Sequence, residues 1–419
     1  MKTLLLIIAI FICFQTIYSQ WYVDNLQQTD DIPASWPDRI QFFDNNTGWF
    51  SCPVHSDTLY KTTNGGVSWL GYTTVDTNRV SVLYFVNQMT GWAVGNRGKI
   101  VKTSNGGLNW MLQTSGVYSF LNDVNFWDTQ NGFIVGSYDS TRVILKTTNS
   151  GTTWQKLVTP GNGRLFSVKM LSANVVYAVG DSGRIIYTTN GGANWENQIS
   201  NTNATLRSIQ FKNYGPVNIG WIAGKNGALL TTSNGGQNWI SRSFNQVNFY
   251  AIFFSTYDTG YTVGQYGRIY KTINSGLNWS LQSVPLDTSV IIKDVFCINS
   301  QKVWASAYNY NLIYTTNGGG PVGIQPISNE VPTGFSLAQN YPNPFNPNTK
   351  IQFSISKSVF TKLTIYDITG RVMAILVNED LKPGIYEAEW DASHRASGVY
   401  YYKLESDSYS ETRRMVLLK

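Results

Sequence analysis

The chain has 419 residues, 13% of them charged and 14% aromatic, with 37 glycines and six excess positive charges. An aromatic-rich, Gly-rich chain with so few charges fits a secreted β protein, and a small, dispersed basic excess gives no indication of nucleic-acid binding. Two histidines, His55 and His394, lie far apart in sequence and leave no basis for a His-based triad or a two-His metal site.

Residues 1–19 carry Lys2, an apolar run from Leu4 to Phe14 and the short-residue end Ser19, the pattern of a secretory signal peptide cleaved before Gln20. The apolar run is short for a membrane span, and no other segment approaches the ~20 apolar residues a span requires. Export is therefore expected. Trp21-Tyr22-Val23-Asp24-Asn25-Leu26-Gln27 reads like the later strands Trp110-Met111-Leu112-Gln113 and Trp279-Ser280-Leu281-Gln282, yet has no repeat of its own. It is expected to supply the outer strand of the last repeat, with Trp21 in the Trp place that repeat lacks, closing the ring without a free edge.

One short box recurs along most of the chain: Asn64 and Gly66 with Trp69, Asn105 and Gly107 with Trp110, Asn149 and Gly151 with Trp154, Asn190 and Gly192 with Trp195. Asn234 and Gly236 with Trp239, and Asn274 and Gly276 with Trp279, continue the series, and a box at Asn317 stops short of its Trp. Successive asparagines lie 40 to 44 residues apart, the length of one four-stranded propeller blade. Asn before Gly-Gly or Ser-Gly suits a tight turn, since Asn tolerates a left-handed backbone and Gly takes positive φ without steric cost. Upstream of each box lie a β-rich run such as Ile144-Leu145-Lys146-Thr147, a strand ending in Gly such as Gly132 to Gly136, and a first strand such as Asp123 to Phe126. Four strands per repeat, seven times over, predict an all-β, seven-bladed β-propeller over residues 20–320.

With Asn in the Asp place, the boxes resemble the Asp-box of sialidase-like propellers. Thr-x-Asn-Gly-Gly-x-x-Trp beside Gly-Trp-Ala-Val-Gly at 91–95 more closely resembles the propellers of photosystem II assembly factors and their non-photosynthetic bacterial relatives, over roughly Trp21 to Gly320. This resemblance implies the fold and leaves function open, because one fold hosts many activities.

Cys52 and Cys297 fall in the first and seventh repeats, which neighbour each other in a ring. The repeat alignment sets them on non-equivalent strands, a geometry that strains the ~7 Å Cα limit of a disulfide, and two small buried hydrophobes are the expected reading. No Cys-x-x-Cys, metalloprotease, phosphate-loop or calcium-loop spacing occurs, and no metal or cofactor is expected. Sialidase chemistry would need a Tyr helped by Glu, an Asp and three Arg. The single Glu between residues 20 and 320, Glu196, follows Trp195 on an expected outer strand, and Asp38-Arg39-Ile40-Gln41 only echoes the Arg-Ile-Pro motif. Asp123 and Asp294 begin innermost strands, but blades three and seven need not bring them within the ~5–10 Å of a glycosidase pair.

In such a blade the start of the first strand and the loop between the second and third share one rim, and the boxes lie on the other. The boxes are scaffold, and the candidate binding rim carries Arg39, Asp123, Arg207, Lys293 and Asp294 from strand starts, with Arg97, Asp181, Lys225, Tyr266 and Tyr310 from loops. Arg39, Arg207 and Lys293 stand at equivalent or adjacent places, where other blades have Ser81, Asn122 and Phe166.

Residues 321–334 read as a linker of Pro, Gly, Ser and Asn. Alternating strands then follow at 350–355, 362–367, 372–377, 385–390, 399–404 and 413–418, predicting a small Ig-like antiparallel β-sandwich over 335–419. Pro342, Asn343, Pro344, Phe345 and Asn346, then Gly370 and Arg371, Gly398 and Tyr400, and the end at Lys419 closely resemble the type A sorting domain of the type IX secretion system. The resemblance implies outer-membrane passage directed by this tail, with the type IX machinery as partner. The expected function is a secreted or cell-surface propeller that binds a protein or glycan; a glycoside hydrolase and a structural surface-layer module are the alternatives.

Overall fold

The computed structural model describes residues 21–418, apart from 27–36, 53–56, 76–77, 140, 160, 215–216, 245–246, 283, 285, 310, 317, 320–323, 329–331 and 393–394. The expected signal peptide, Asn317 of the seventh box, Tyr310, both histidines and Lys419 lie outside the described residues. Those described form nine four-stranded antiparallel sheets and no α-helix.

Seven sheets are propeller blades, each with its strands in order from the inside outward. The second blade, for example, is built from Val80–Phe85, Gly91–Gly95, Ile100–Thr103 and Met111–Gln113. The second strand of that blade is buried along its whole length because both its faces press on neighbouring blades, so the run Gly-Trp-Ala-Val-Gly has no polar side to offer. Outer strands are short and exposed, which blunts the edge of each sheet.

The ring closes as the sequence suggests. Tyr22–Asn25 pairs with Asn311–Thr315, Tyr22 opposite Tyr314, and completes the seventh blade. Trp21 is 1% exposed, edge-on to Tyr261 at 5.9 Å, with its Nε1 facing Gln282 Oε1 at 3.5 Å.

Each box is a hydrogen-bonded knot. Thr62 Oγ1 accepts the Gly66 N–H at 2.9 Å and Asn64 Oδ1 accepts the Ser68 N–H at 3.0 Å. Equivalent bonds recur around Asn105, Asn149, Asn190, Asn234 and Asn274. One expectation is corrected here: positive φ falls not on the box Asn but on its C-terminal neighbours, Gly65 and Gly66 in the first box, Ser150 and Ser275 in the Ser-Gly boxes. Asn serves as the acceptor that holds the turn. Gly66, at φ +92°, has no room for a side chain, since a Cβ would lie 2.4 Å from Trp304 of the seventh blade. Cys52 and Cys297 are both buried.

The other two sheets form the C-terminal sandwich. One contains Ile324–Ser328, Gly384–Asp391, Asn348–Ile355 and Ser336–Leu337; the other contains Val372–Leu381, Val359–Asp367, Gly398–Ser406 and Tyr409–Leu417. Phe353, Leu363, Ile365, Tyr402 and Met415 fill the space between them. All six strands expected from the sequence are present. Two more are found: Ser336–Leu337, beside Asn348–Ile355, and, within the stretch read as linker, Ile324–Ser328, which pairs with Gly384–Asp391, Ile324 opposite Ala388. The latter is an edge strand, which tolerates Pro326 and needs no regular alternation, so the usual strand signals are missing.

Candidate functional site

The innermost strands bring one residue per blade to each of several levels around the ring axis. In blades two to seven the pairing with the second strand slips by one residue near the strand start, as between Val80 and Val82 or Ile292 and Asp294. The extra residue of each bulge is Ser81, Asn122, Phe166, Arg207, Tyr250 or Lys293. A β-bulge re-aims the side chain it carries, and here all six line one open mouth of about 460 Å³ together with Asp38 and Arg39. The repetition of one backbone irregularity thus turns six unrelated side chains toward a common space.

Within the mouth, cations and aromatic rings alternate. The Arg207 guanidinium lies 4.2 Å from the centre of the Phe166 ring and 5.9 Å from that of Tyr250; Lys293 Nζ lies 4.9 Å from Tyr250 and 5.4 Å from Tyr308. Burial pulls the Arg207 guanidinium below its ordinary value. Burial also pulls on Lys293, but Asp38, 3.9 Å away, and Tyr308 outweigh it and the ammonium is held above its usual range.

One level deeper the expectation about Arg39 is corrected. The pairing of Phe42 with Gly48 matches that of Phe85 with Gly91, so Asp38 is the counterpart of Arg207 and Lys293. Arg39 belongs with Asp123 and Asp294, and it binds both: Nη2 is 3.6 Å from Asp123 Oδ1 and Nη1 is 3.4 Å from Asp294 Oδ1. The two carboxylates therefore reach one guanidinium, although residues of blades three and seven need not have met. Each is also tied to a neighbouring blade. Asp294 Oδ2 accepts the Ile40 N–H at 3.0 Å, and Asp123 Oδ2 accepts the Val168 N–H at 2.9 Å and the Ser167 hydroxyl at 2.8 Å. Asp123 and Asp294 are 9% and 7% exposed. Burial pushes the Asp294 carboxyl up to about 6, against the opposing pull of Arg39 and the Ile40 N–H. These three residues form a clasp at the base of the mouth, bound to one another and to neighbouring blades.

Below the clasp a narrow channel of about 170 Å³ runs between Gln41, Tyr84, Asn125, Lys169, Gln210 and Phe296. Several of these are inter-blade staples, such as Gln41, whose amide bonds both the N–H and C=O of Phe85 at 2.9 Å. A separate polar cleft of about 480 Å³ flanks the fourth blade, lined by residues 182–185 and 197–203 with Arg184 as its charged side chain; it shares no residue with the mouth.

Of the loop residues expected on this rim, the described ones, Arg97, Asp181, Lys225 and Tyr266, do not line the mouth. Arg97 lies over Tyr118 at 5.9 Å, Asp181 pairs with Arg164 at 2.9 Å, and Tyr266, 52% exposed, lies under Arg268. Lys225 contributes its backbone N–H to Thr205. Tyr250 was missed by the sequence reading, although it holds the same repeat position as Phe166 and Arg207. Glu196 lies on the outer strand of blade four and accepts the Tyr187 hydroxyl at 2.7 Å, far from any acid–base role at the axis. Among the described residues no group of three or more His, Cys, Asp or Glu is placed to hold a metal ion, and no helix is long and apolar enough to cross a membrane.

Residues 72–217 match the family model described as photosynthesis system II assembly factor YCF48, and residues 339–418 match the model described as secretion system C-terminal sorting domain. No curated protein gives a significant match. Among solved structures, the chain is similar to one titled YCF48 bound to D1 peptide, with 18% identity and a TM-score of 0.56 over 72% of this chain and 96% of that one. YCF48 from Cyanidioschyzon merolae is similar at 16% identity and a TM-score of 0.54, over 70% and 98%. An ancestral GH74 enzyme is similar at 14% identity and a TM-score of 0.51, over 90% of this chain and 59% of that one. Identities this low carry the fold and no further.

Proposed function

We propose that this propeller with a C-terminal sorting domain is an exported binding module, and that its mouth takes an acidic, extended segment of a protein. The observation that carries the reading is the ring of bulge residues, where Arg207 and Lys293 stand beside Phe166 and Tyr250 at the entrance of a water-accessible cavity. Cations attract a carboxylate, the rings offer flat apolar surface, and a concave wall raises the local potential. The solved relative whose title records a bound peptide is consistent with a peptide ligand.

A hydrolase would have to use Asp123 and Asp294 as its acid and base. Both carboxylates are already bound to Arg39 and to backbone N–H groups, and acid–base work on a substrate would require them to give up those bonds.

The test is a binding screen of the full-length mature chain against acidic and basic peptide libraries and a glycan array. Acidic peptides are expected to bind, and the double variant Arg207→Ala with Lys293→Ala to lose them. Selective capture of neutral glycans, unaffected by that variant, would overturn the peptide reading.

A further inference from the structure

The stretches that carry the sorting resemblance are scattered along the C-terminal domain, and the fold gathers them at one end. Asp367 pairs with Tyr400 and Tyr400 with Met415 in adjoining strands, while Gly398 is opposite Leu417. The turn from Ile368 to Arg371, Gly398 and Leu417 therefore share one end of a sheet, within about two strand spacings, or roughly 10 Å. The proline-rich stretch joins them from outside. The Phe345 N–H donates to the Val416 C=O at 3.0 Å, the Leu418 N–H donates to the Phe345 C=O at 3.0 Å, and Asn343 Oδ1 accepts the Val416 N–H at 3.0 Å. The Asn-Pro-Phe loop thus occupies the outward edge of the last strand, which would otherwise be an open sheet edge.

The anchors of this arrangement are buried. Asn340, 2% exposed, donates to Thr349 Oγ1 at 2.9 Å and to the Pro342 C=O at 3.0 Å, and Phe345, also 2% exposed, packs on Trp390. The outward side chains are apolar: Tyr341 is 80% exposed, Ile368 72% and Leu418 53%. Val372 belongs to the same end. Phe360, 51% exposed, stands at the opposite end of its strand and is the contrast. Large apolar side chains held in water at one end of a small domain mark an interaction surface. Exposed Arg371 and Arg414 flank it.

We propose that the export machinery reads this end as one composite surface, formed by Tyr341, Ile368 and Leu418 only once the domain has folded. The partner it fits is a protein with an apolar patch rimmed by acidic groups. The proposal rests on the sorting role of the tail and names where that role resides. Recognition here is of a shape, not of the last residues as a linear tag.

The experiment expresses the full chain in a host with type IX secretion and compares the medium with the periplasm. The variant Ile368→Glu with Leu418→Glu should lose export by about tenfold or more, because each added carboxylate is buried against the partner and repelled by its rim. Phe360→Glu should be exported as the parent is, and the melting temperature of both purified variants should match the parent. If the glutamates lower the melt, Ile368→Ser with Leu418→Ser makes the same comparison. Parent-level export of the folded double variant, with a chain ending at residue 320 retained in the periplasm, overturns the composite surface and leaves the sorting role standing. Parent-level export of the chain ending at residue 320 overturns the sorting role itself.

Discussion

Arg39 of the first blade and Asp294 of the seventh meet across the seam of the ring, Nη1 to Oδ1 at 3.4 Å, while the second oxygen of the same carboxylate accepts the Ile40 N–H. Through its other nitrogen Arg39 also holds Asp123 of the third blade. A residue expected to be a free cation for ligand is thus the counter-ion of two buried carboxylates. Arg39→Met should therefore destabilise the propeller, by about 1–3 kcal/mol once the partial exposure of the guanidinium is allowed for. Equilibrium denaturation in urea measures it; an unchanged midpoint would mean that the clasp is not structural.

The same clasp gives a pH dependence with a definite sign. The carboxyl of Asp294, ordinarily at 3.8, is raised to about 6 by burial. Its charged form is disfavoured more in the folded chain than in the unfolded one, so its favourable contribution is complete below 3.8 and is lost as pH rises through 6. Between pH 7.5 and 5 the parent should gain about 1 kcal/mol relative to Asp294→Asn, which has no such titration. Parallel stability curves for the two proteins across that window would contradict the assignment.

Trp21 is the plug of the closing strand. Trp21→Ala removes a fully buried indole from the seam between the sixth and seventh blades and should cost about 3–5 kcal/mol, whereas Trp154→Ala, at a partly exposed box position, should cost less. Thermal melts of the two variants rank them, and equal losses would show that closure has no special weight.

The two rims should separate folding from binding. Gly66→Val demands positive φ of a β-branched residue and drives its Cβ into Trp304, so it should lower the yield of folded protein and the melting temperature together. Arg207→Ala with Lys293→Ala removes two partly exposed cations and should leave the melt within a few degrees, since such groups contribute about 0–1 kcal/mol each. A large loss of stability in the mouth variant would mark the cation and ring array as structural.

The boxes made the fold legible because each one is local: Thr, Asn, Gly and Trp within nine residues carry their own hydrogen bonds and their own turn, and repetition at one period fixes the blade. Ring closure was legible for the same reason, since Trp21 to Asn25 reads as a strand without a repeat and the last repeat lacks one. In the sandwich, alternation gave six strands, while Ile324–Ser328 escaped because an edge strand with a Pro shows no alternation.

What lines the mouth depended on register, which sequence does not state. A one-residue bulge decides whether Arg39 or Asp38 shares the level of Arg207 and Lys293, because shifting a strand by one residue turns each side chain to the other face. The convergence of Asp123 and Asp294 on Arg39, and of Phe345 on Val416 and Leu418, joins residues far apart in the chain. The sequence determined the blades, their number and the turns between strands through interactions spanning a few residues. Only the tertiary structure decided which side chains face one another across the ring or along a sheet edge, because those pairings follow from how complete blades and sheets pack together.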